Sequence, residues 1–203
     1  MTADSAKEAS DSGAFQRLIA QIGNESARGP APVHLWNPDY CGEIDMRIAA
    51  DGTWFYLGTP IGRKPLVKLF ASVLRRDPER FVLVTPVERI GIEVDDAPFV
   101  AVGMEVEGEE HDQVIAFRTN VDDVVSVDAD HPLRFEIEQG TDGLKPYVLV
   151  RGGLEALVTR AVFYDLVALG EEHDLADGET HFGVWSAGTF FPMARASDIA
   201  AYR

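Results

Sequence analysis

The sequence predicts an α+β fold, mostly antiparallel sheet, made of two related halves. Three observations lead there. Short apolar runs with period-two alternation, separated by Gly- and Asp-containing turns, fill most of the chain. Two amphipathic helical stretches interrupt them, each preceded by a strand and an arginine. When Arg63 is set over Arg151, an offset of 88, Leu66, Leu69, Phe70, Val73 and Leu74 fall on Leu154, Leu157, Val158, Ala161 and Val162. Only the arginine and two leucines are identical. The repeat therefore rests on pattern, and any two amphipathic helices that follow strands share part of it.

Residues 1–12 are polar and rich in small side chains, which predicts a disordered tail. They lack the charged start, apolar core and cleavage site of a signal peptide. Phe15, Leu18, Ile19 and Ile22 follow helical spacing, so a short helix is expected over 13–23, stopped by Gly23 and Asn24. The Pro-rich stretch 28–44 cannot be regular helix, and its Trp36 and Tyr40 are expected to pack across a surface. Asp51-Gly52 between two apolar runs marks a hairpin.

A helix is expected at about 65–76, with Pro65 in its first turn. FVLVT at Phe81–Thr85 reads as a buried strand. Strands at Ile90–Val94, Val100–Val106, Val114–Asn120, Val124–Val127, Leu133–Glu138 and Tyr147–Val150 follow from alternation and flanking turns. A longer helix is expected at 153–169, then a last strand near His181–Trp185. The split falls near residue 95, giving an N-terminal half at 13–95 and a C-terminal half at 96–203.

Charge bounds the function. The 203 residues carry 18 basic and 34 acidic side chains, a net charge of −16. With no basic stripe, such a chain is repelled by nucleic acid and by anionic membrane surfaces. A small anion is still attracted wherever a few arginines cluster. Hydrophobic residues make up 46%, enough for a buried core. No apolar run approaches the roughly 20 residues of a membrane span. Cys41 is the sole cysteine, so no internal disulfide forms and a reducing, cytoplasmic location is expected.

Four blocks are more specific than any pattern: HLWNPDYCGEIDMRIAADGTWFYLGTPIGRKPLVKLF, FVLVTPVERIGIEVDDAPFVA, FRTNVDDVVSVDADHPLR and YVLVRGGLEALVTRAVFYDLV. Together, over about residues 30–192, they resemble the uncharacterised bacterial family catalogued as domain of unknown function 1285. The resemblance implies a duplicated α+β core whose C-terminal half is superficially like a pleckstrin-homology fold. It implies no agreed enzyme activity. The role it implies is binding of a small, nucleotide-like ligand at the interface of the two halves, in signal transduction.

The residues give candidate ligand contacts. In GTPIGRK, residues 58–64, glycines permit close backbone approach, a helix N-terminus offers unpaired N–H groups, and Arg63 and Lys64 supply charge. The spacing fits neither a Walker loop nor a dinucleotide fingerprint, and Pro65 stands where a magnesium-binding hydroxyl belongs. The stretch can hold an anion without cleaving it; the plainer reading is a strand-to-helix corner with solvated cations. Arg151 occupies the matching place in the second copy, and two guanidinium forks meeting on one anion would make an oriented site. The alternative is that each arginine pairs with carboxylates of its own half. Thr59, Thr85 and Glu88 can hydrogen-bond a ligand, or serve turn chemistry. Trp54 can stack on a ligand ring, or fill core.

No catalytic, cofactor or metal motif is present. Asp95/Asp96 and Asp128/Asp130 lack calcium-loop spacing and read as turn and cap residues, with binding of a divalent cation as the alternative. Ser186 is not in a nucleophile elbow, and no His pair has zinc-ligand spacing. GEEHD occurs at 108–112 and 170–174, a spacing of 62 that disagrees with 88, so the copies are taken as chance repeats in exposed turns. The leading expectation is non-catalytic binding of a small anionic ligand by Arg63, Lys64, Thr59, Trp54, Thr85, Glu88 and Arg151. The alternative is a protein-interaction module that offers a strand edge or apolar patch.

Overall fold

The structure, a computed structural model, describes residues 13, 16–22, 31–138, 140, 143–176 and 178–200. The expected tail at 1–12 and the helix stop at Gly23-Asn24 lie outside them. The chain divides into two compact units. One runs to Pro98 and includes Gly152–Leu154; the other comprises Phe99–Arg151 and Glu155 onward.

The first unit holds helix α1 (16–22), then strands β1 (Tyr40–Ile48), β2 (Trp54–Tyr56) and β3 (Thr59–Pro60). Helix α2 (Lys64–Ser72) and strands β4 (Leu74–Asp77), β5 (Arg80–Val84) and β6 (Arg89–Val94) complete it. The sheet order is β3-β2-β1-β6-β5-β4, with β1 and β6 parallel at its centre. Along β1, Ile44, Met46 and Ile48 are buried and Asp45 and Arg47 are not, the period of two that a one-sided strand demands. Val82, Leu83 and Val84 are all buried, as a central strand covered on both faces requires. Asp51-Gly52 makes the β1–β2 turn: Asp51 Oδ1 accepts from Thr53 N at 2.9 Å, and Gly52 sits at φ +81°. The Pro-rich segment is pinned by Arg75, whose Nη1 donates to Val33 O at 2.9 Å and Trp36 O at 2.5 Å.

The second unit holds β7 (Phe99–Glu107), β8 (Val114–Thr119), β9 (Val124–Ser126), β10 (Leu133–Ile137), β11 (Leu144–Arg151) and β12 (Leu154–Val158, of which Leu154 groups with the first unit). Helix α3 (Arg160–Ala168), strands β13 (Glu171–Asp174), β14 (Thr180–Ser186) and β15 (Thr189–Arg195), and helix α4 (Ala196–Ala200) follow. The six-stranded sheet has the order β10-β11-β12-β7-β8-β9, with β12 and β7 parallel; β13–β15 form a three-stranded antiparallel sheet. Ser186 ties the small sheet down. Its Oγ donates to Val127 O at 2.7 Å and accepts from Ile115 N at 2.9 Å. Gln113 Nε2 adds a bond to Trp185 O at 2.9 Å.

The duplication is thus plain in the topology. Each six-stranded sheet is two three-stranded meanders joined by a parallel central pair, β1/β6 in one and β7/β12 in the other. The equivalence does not run through the arginine corners. Helix α2 separates the two meanders of the first sheet, whereas α3 follows the second sheet entirely. The stretch expected as one helix over 153–169 is strand β12 and then α3. Gly152 and Gly153, at φ +53° and +77°, form a two-residue hairpin turn that sends the chain back as a strand. Leu154, Ala156 and Val158 are buried in alternation. Leu154, Leu157 and Val158 also fit a helical stripe, which is why the two readings compete. Likewise the helix expected to 76 ends at Ser72, and Leu74–Asp77 pairs with β5.

Candidate functional site

Six of the seven residues singled out from the sequence belong to the first unit. Leu57 and Gly58, at φ +49° and +71°, make the β2–β3 turn, so the first glycine of GTPIGRK serves a hairpin. Thr59, Arg63 and Lys64 are exposed. The Arg63 carbonyl accepts from Leu66 N at 2.9 Å and Val67 N at 3.2 Å, which starts α2. Trp54 is 1% exposed and stacks on Phe70 with centroids 6.1 Å apart, so its ring fills the core. Thr85 closes the β5–β6 turn: its Oγ1 accepts from Glu88 N at 3.2 Å and Val87 N at 3.4 Å, and donates to Gln21 Oε1 of α1 at 2.7 Å. Glu88 is buried beside it, with Oε1 lacking a hydrogen-bond partner among the described residues.

Arg151 belongs to the second unit. Its Nη1 pairs with Asp123, and its guanidinium lies over the Phe99 ring, 4.8 Å from the centroid. The carboxylate pairs are engaged locally. Asp95 accepts from Arg47 at 2.5 Å. Asp128 Oδ1 accepts from Asp130 N at 2.9 Å and His131 N at 2.8 Å. Burial pushes the Asp128 carboxyl up, but those bonds together hold it below its ordinary value. Among the described residues, no cluster of three or more His, Cys, Asp and Glu is placed to hold a metal ion. No helix among them is long and apolar enough to cross a membrane.

A hollow lies in the second unit, beside α3. Thr159 N donates to Ala101 O at 3.1 Å and fixes the start of the helix on β7; Phe163 N then donates to Thr159 O at 2.8 Å. Val162 and Leu166 point into the core. The adjoining stripe, Phe163, Tyr164 and Val167, faces a cavity of about 640 Å3 whose other walls include Leu144, Phe182 and Met193. That lies within the usual ligand-pocket range of about 300–1,000 Å3. A second groove of about 400 Å3 shares Leu144, Phe163 and Tyr164 with it and carries Lys145, Arg160 and Glu138. Arg160 Nε donates to the Tyr164 hydroxyl at 3.1 Å, which orients the guanidinium on the helix surface. At the other end stand Glu171 and Glu172.

Glycines shape this hollow. A Cβ on Gly170 would lie 2.2 Å from Phe182 Cζ, so the ring rests directly on the backbone at the end of α3. The two GEEHD copies, not equivalent in the duplication, meet next to it. Glu171 Oε1 accepts from Trp185 Nε1 at 2.8 Å and lies 2.9 Å from His111 Nε2. His111 stacks on the Trp185 ring at 4.3 Å, and His173 meets its edge at 5.0 Å. None of the residues around the hollow was named from sequence as a ligand contact, and the GEEHD copy at 170–174, which supplies Gly170, Glu171 and Glu172, was set aside as a chance repeat. The available signal was the amphipathic stretch ending in Gly170, whose half-buried positions exceed what the core consumes.

Comparison with known proteins fits this architecture. Residues 31–97 match the family model described as the N-terminal domain of DUF1285, a domain of unknown function. Residues 98–193 match the model of the C-terminal domain of the same family. The chain belongs to the DUF1285 family. A crystal structure of a DUF1285 family protein from Silicibacter pomeroyi DSS-3 is 53% identical, with a TM-score of 0.80. The match covers 85% of this chain and 91% of that one. Another, from Shewanella baltica OS155, is 29% identical over 61% of this chain and 90% of that one, with a TM-score of 0.49. No curated protein matches.

Proposed function

We propose that the protein binds a small anionic molecule without transforming it, and that the hollow beside α3 in the C-terminal unit receives it. One observation carries this reading: a largely apolar chamber of about 640 Å3 shares Leu144, Phe163 and Tyr164 with a groove bearing Arg160 and Lys145. Ligand sites pair an apolar body with a few placed polar groups, and this hollow has that composition. In a chain of net charge −16 these two cations supply a local attraction that the rest of the surface opposes. Arg63 and Lys64 remain a second exposed cationic corner. The exposed Cys41 thiol suits a reducing, cytoplasmic setting.

The test is a thermal-shift panel of nucleotides, phosphates and carboxylates, run on the wild type and on Ala194→Phe. Ala194 lines the chamber opposite Phe182, its register partner across β14 and β15. A ligand that binds only the folded state raises its stability. Stabilisation by at least one anion, lost in Ala194→Phe, is expected. A panel with no responding member, or a response that Ala194→Phe leaves intact, rejects the site.

A further inference from the structure

Resting on that reading, we infer that the ligand is an amphipathic monocarboxylate with a flexible aliphatic tail, the tail in the chamber and the carboxylate at Arg160. The chamber walls carry this far. Leu144, Phe163, Val167 and Phe182 offer no side-chain hydrogen-bond donor or acceptor, and the Met193 thioether is only a weak acceptor. A nucleobase set against these five would lose water from its polar edges without replacement there, the polar side chains of the lining being Tyr164 and, at one end, Glu171 and Glu172. A hydrocarbon chain has no such edges, and a Met-lined wall adapts to a tail of varying shape. Allowing about 30 Å3 per water-sized group, the cavity takes up to about twenty non-hydrogen atoms, which accommodates a medium-length acyl chain.

The charges fix the direction. Glu171 and Glu172 flank one end of the chamber, and Lys145 and Arg160 line the groove beyond the other. A carboxylate is repelled from the first and drawn to the second. The count of charges also limits the head. Lys145 lies 3.9 Å from Glu138, so the groove has a net single positive charge to offer. That matches a monoanion and is poor provision for a polyphosphate. Arg160 is held by its Nε bond to Tyr164, which leaves the rest of the guanidinium fork directed by a fixed partner.

The experiment measures binding of decanoate, decanol and adenosine monophosphate by calorimetry to the intact wild-type chain, Ala194→Phe and Arg160→Gln. Decanoate should bind the wild type saturably. Its Kd should rise at least about tenfold in each variant, and decanol should bind about tenfold more weakly than decanoate. Unchanged far-ultraviolet circular dichroism in both variants is the folding control. If adenosine monophosphate binds in a chamber-dependent way and decanoate does not, this inference falls and the anion-binding reading stands. If none of the three binds, this inference falls, and the anion-binding reading falls with it only when the thermal-shift panel is also silent. Decanoate binding that is equal in the wild type and Ala194→Phe is surface adsorption and overturns the assignment.

Discussion

Replacing Gly170 by alanine should both weaken the C-terminal unit and shrink its hollow, and the geometry sets the size of each effect. A Cβ at this position meets Phe182 Cζ, Cε1 and Cε2 at 2.2, 2.7 and 2.9 Å, so the entire far edge of the ring stands in its path. The obstacle is a side chain, and both Phe182 and Gly170 line the open chamber. The ring therefore has somewhere to go. Forced repacking of this kind costs about 1–3 kcal/mol. Alanine returns about 0.4–1 kcal/mol by restricting the unfolded chain. The net loss is about 1–2 kcal/mol, which lowers Tm by about 4–8 °C per kcal/mol in a unit of this size. Gly183 supplies the contrast. Its Cβ would lie 2.3 Å from the Phe191 carbonyl oxygen and 2.9 Å from Pro192 Cα, which are backbone atoms at the β14–β15 register shift. No rotation relieves that clash, so Gly183→Ala should cost more than about 3 kcal/mol. Scanning calorimetry of the two variants reads both numbers, and decanoate titration of Gly170→Ala reads the smaller chamber as weaker binding. A Gly170→Ala protein with unchanged Tm and unchanged binding refutes the reasoning, as does a Gly183→Ala protein no less stable than Gly170→Ala.

Three further outcomes are expected. Trp54→Phe should lower the stability of the N-terminal unit by about 1–2 kcal/mol, since a core ring shrinks, and should leave small-molecule binding untouched; a binding defect would put that ring at a ligand site. Glu155→Gln removes the carboxylate that takes two bonds from Arg134, Nε to Oε1 at 2.5 Å and Nη2 to Oε2 at 2.6 Å. After discounting for partial exposure, denaturant unfolding should show a loss of about 1 kcal/mol; no loss would make the pair ornamental. Asp128 is held below its ordinary carboxyl value of 3.8. Its charge therefore stabilises the fold above that value, and the contribution disappears as pH falls through the lowered one. Wild type minus Asp128→Asn stability, measured by urea melts between pH 3 and 7, should be constant at the upper end and decline in acid; a difference that grows in acid contradicts the sign.

Much of the fold was legible because strands and turns leave local marks. Asp51-Gly52 announced its hairpin, the apolar run read as a strand at Phe81–Thr85 is Arg80–Val84, and Val114–Thr119 sits where alternation placed a strand. The second half misled at RGGLEALV, because Leu154, Leu157 and Val158 satisfy both periods over so short a run. The two glycines carried the deciding signal, being the residues a two-residue hairpin prefers. Matching Arg63 to Arg151 then followed from reading helix where strand exists. The duplication is real, but it lives in strand pairing between β1 and β6 and between β7 and β12, which sequence separation hides. The hollow was invisible for a related reason. Its walls come from β11, α3, β13, β14 and β15, and no short motif unites Leu144, Phe163, Phe182 and Met193.

Of the three methionines among the described residues, Met193 alone lines the chamber, so its methyl group is the reporter. Protein carrying carbon-13 methyl-labelled methionine, titrated with decanoate and followed by nuclear magnetic resonance, gives the most direct reading of where a small anion goes. A saturable shift of the Met193 methyl signal, with Met46 and Met104 stationary, is the result expected from binding beside α3. A Met193 signal that stays fixed while another methionine moves, or while decanoate demonstrably binds, contradicts the account.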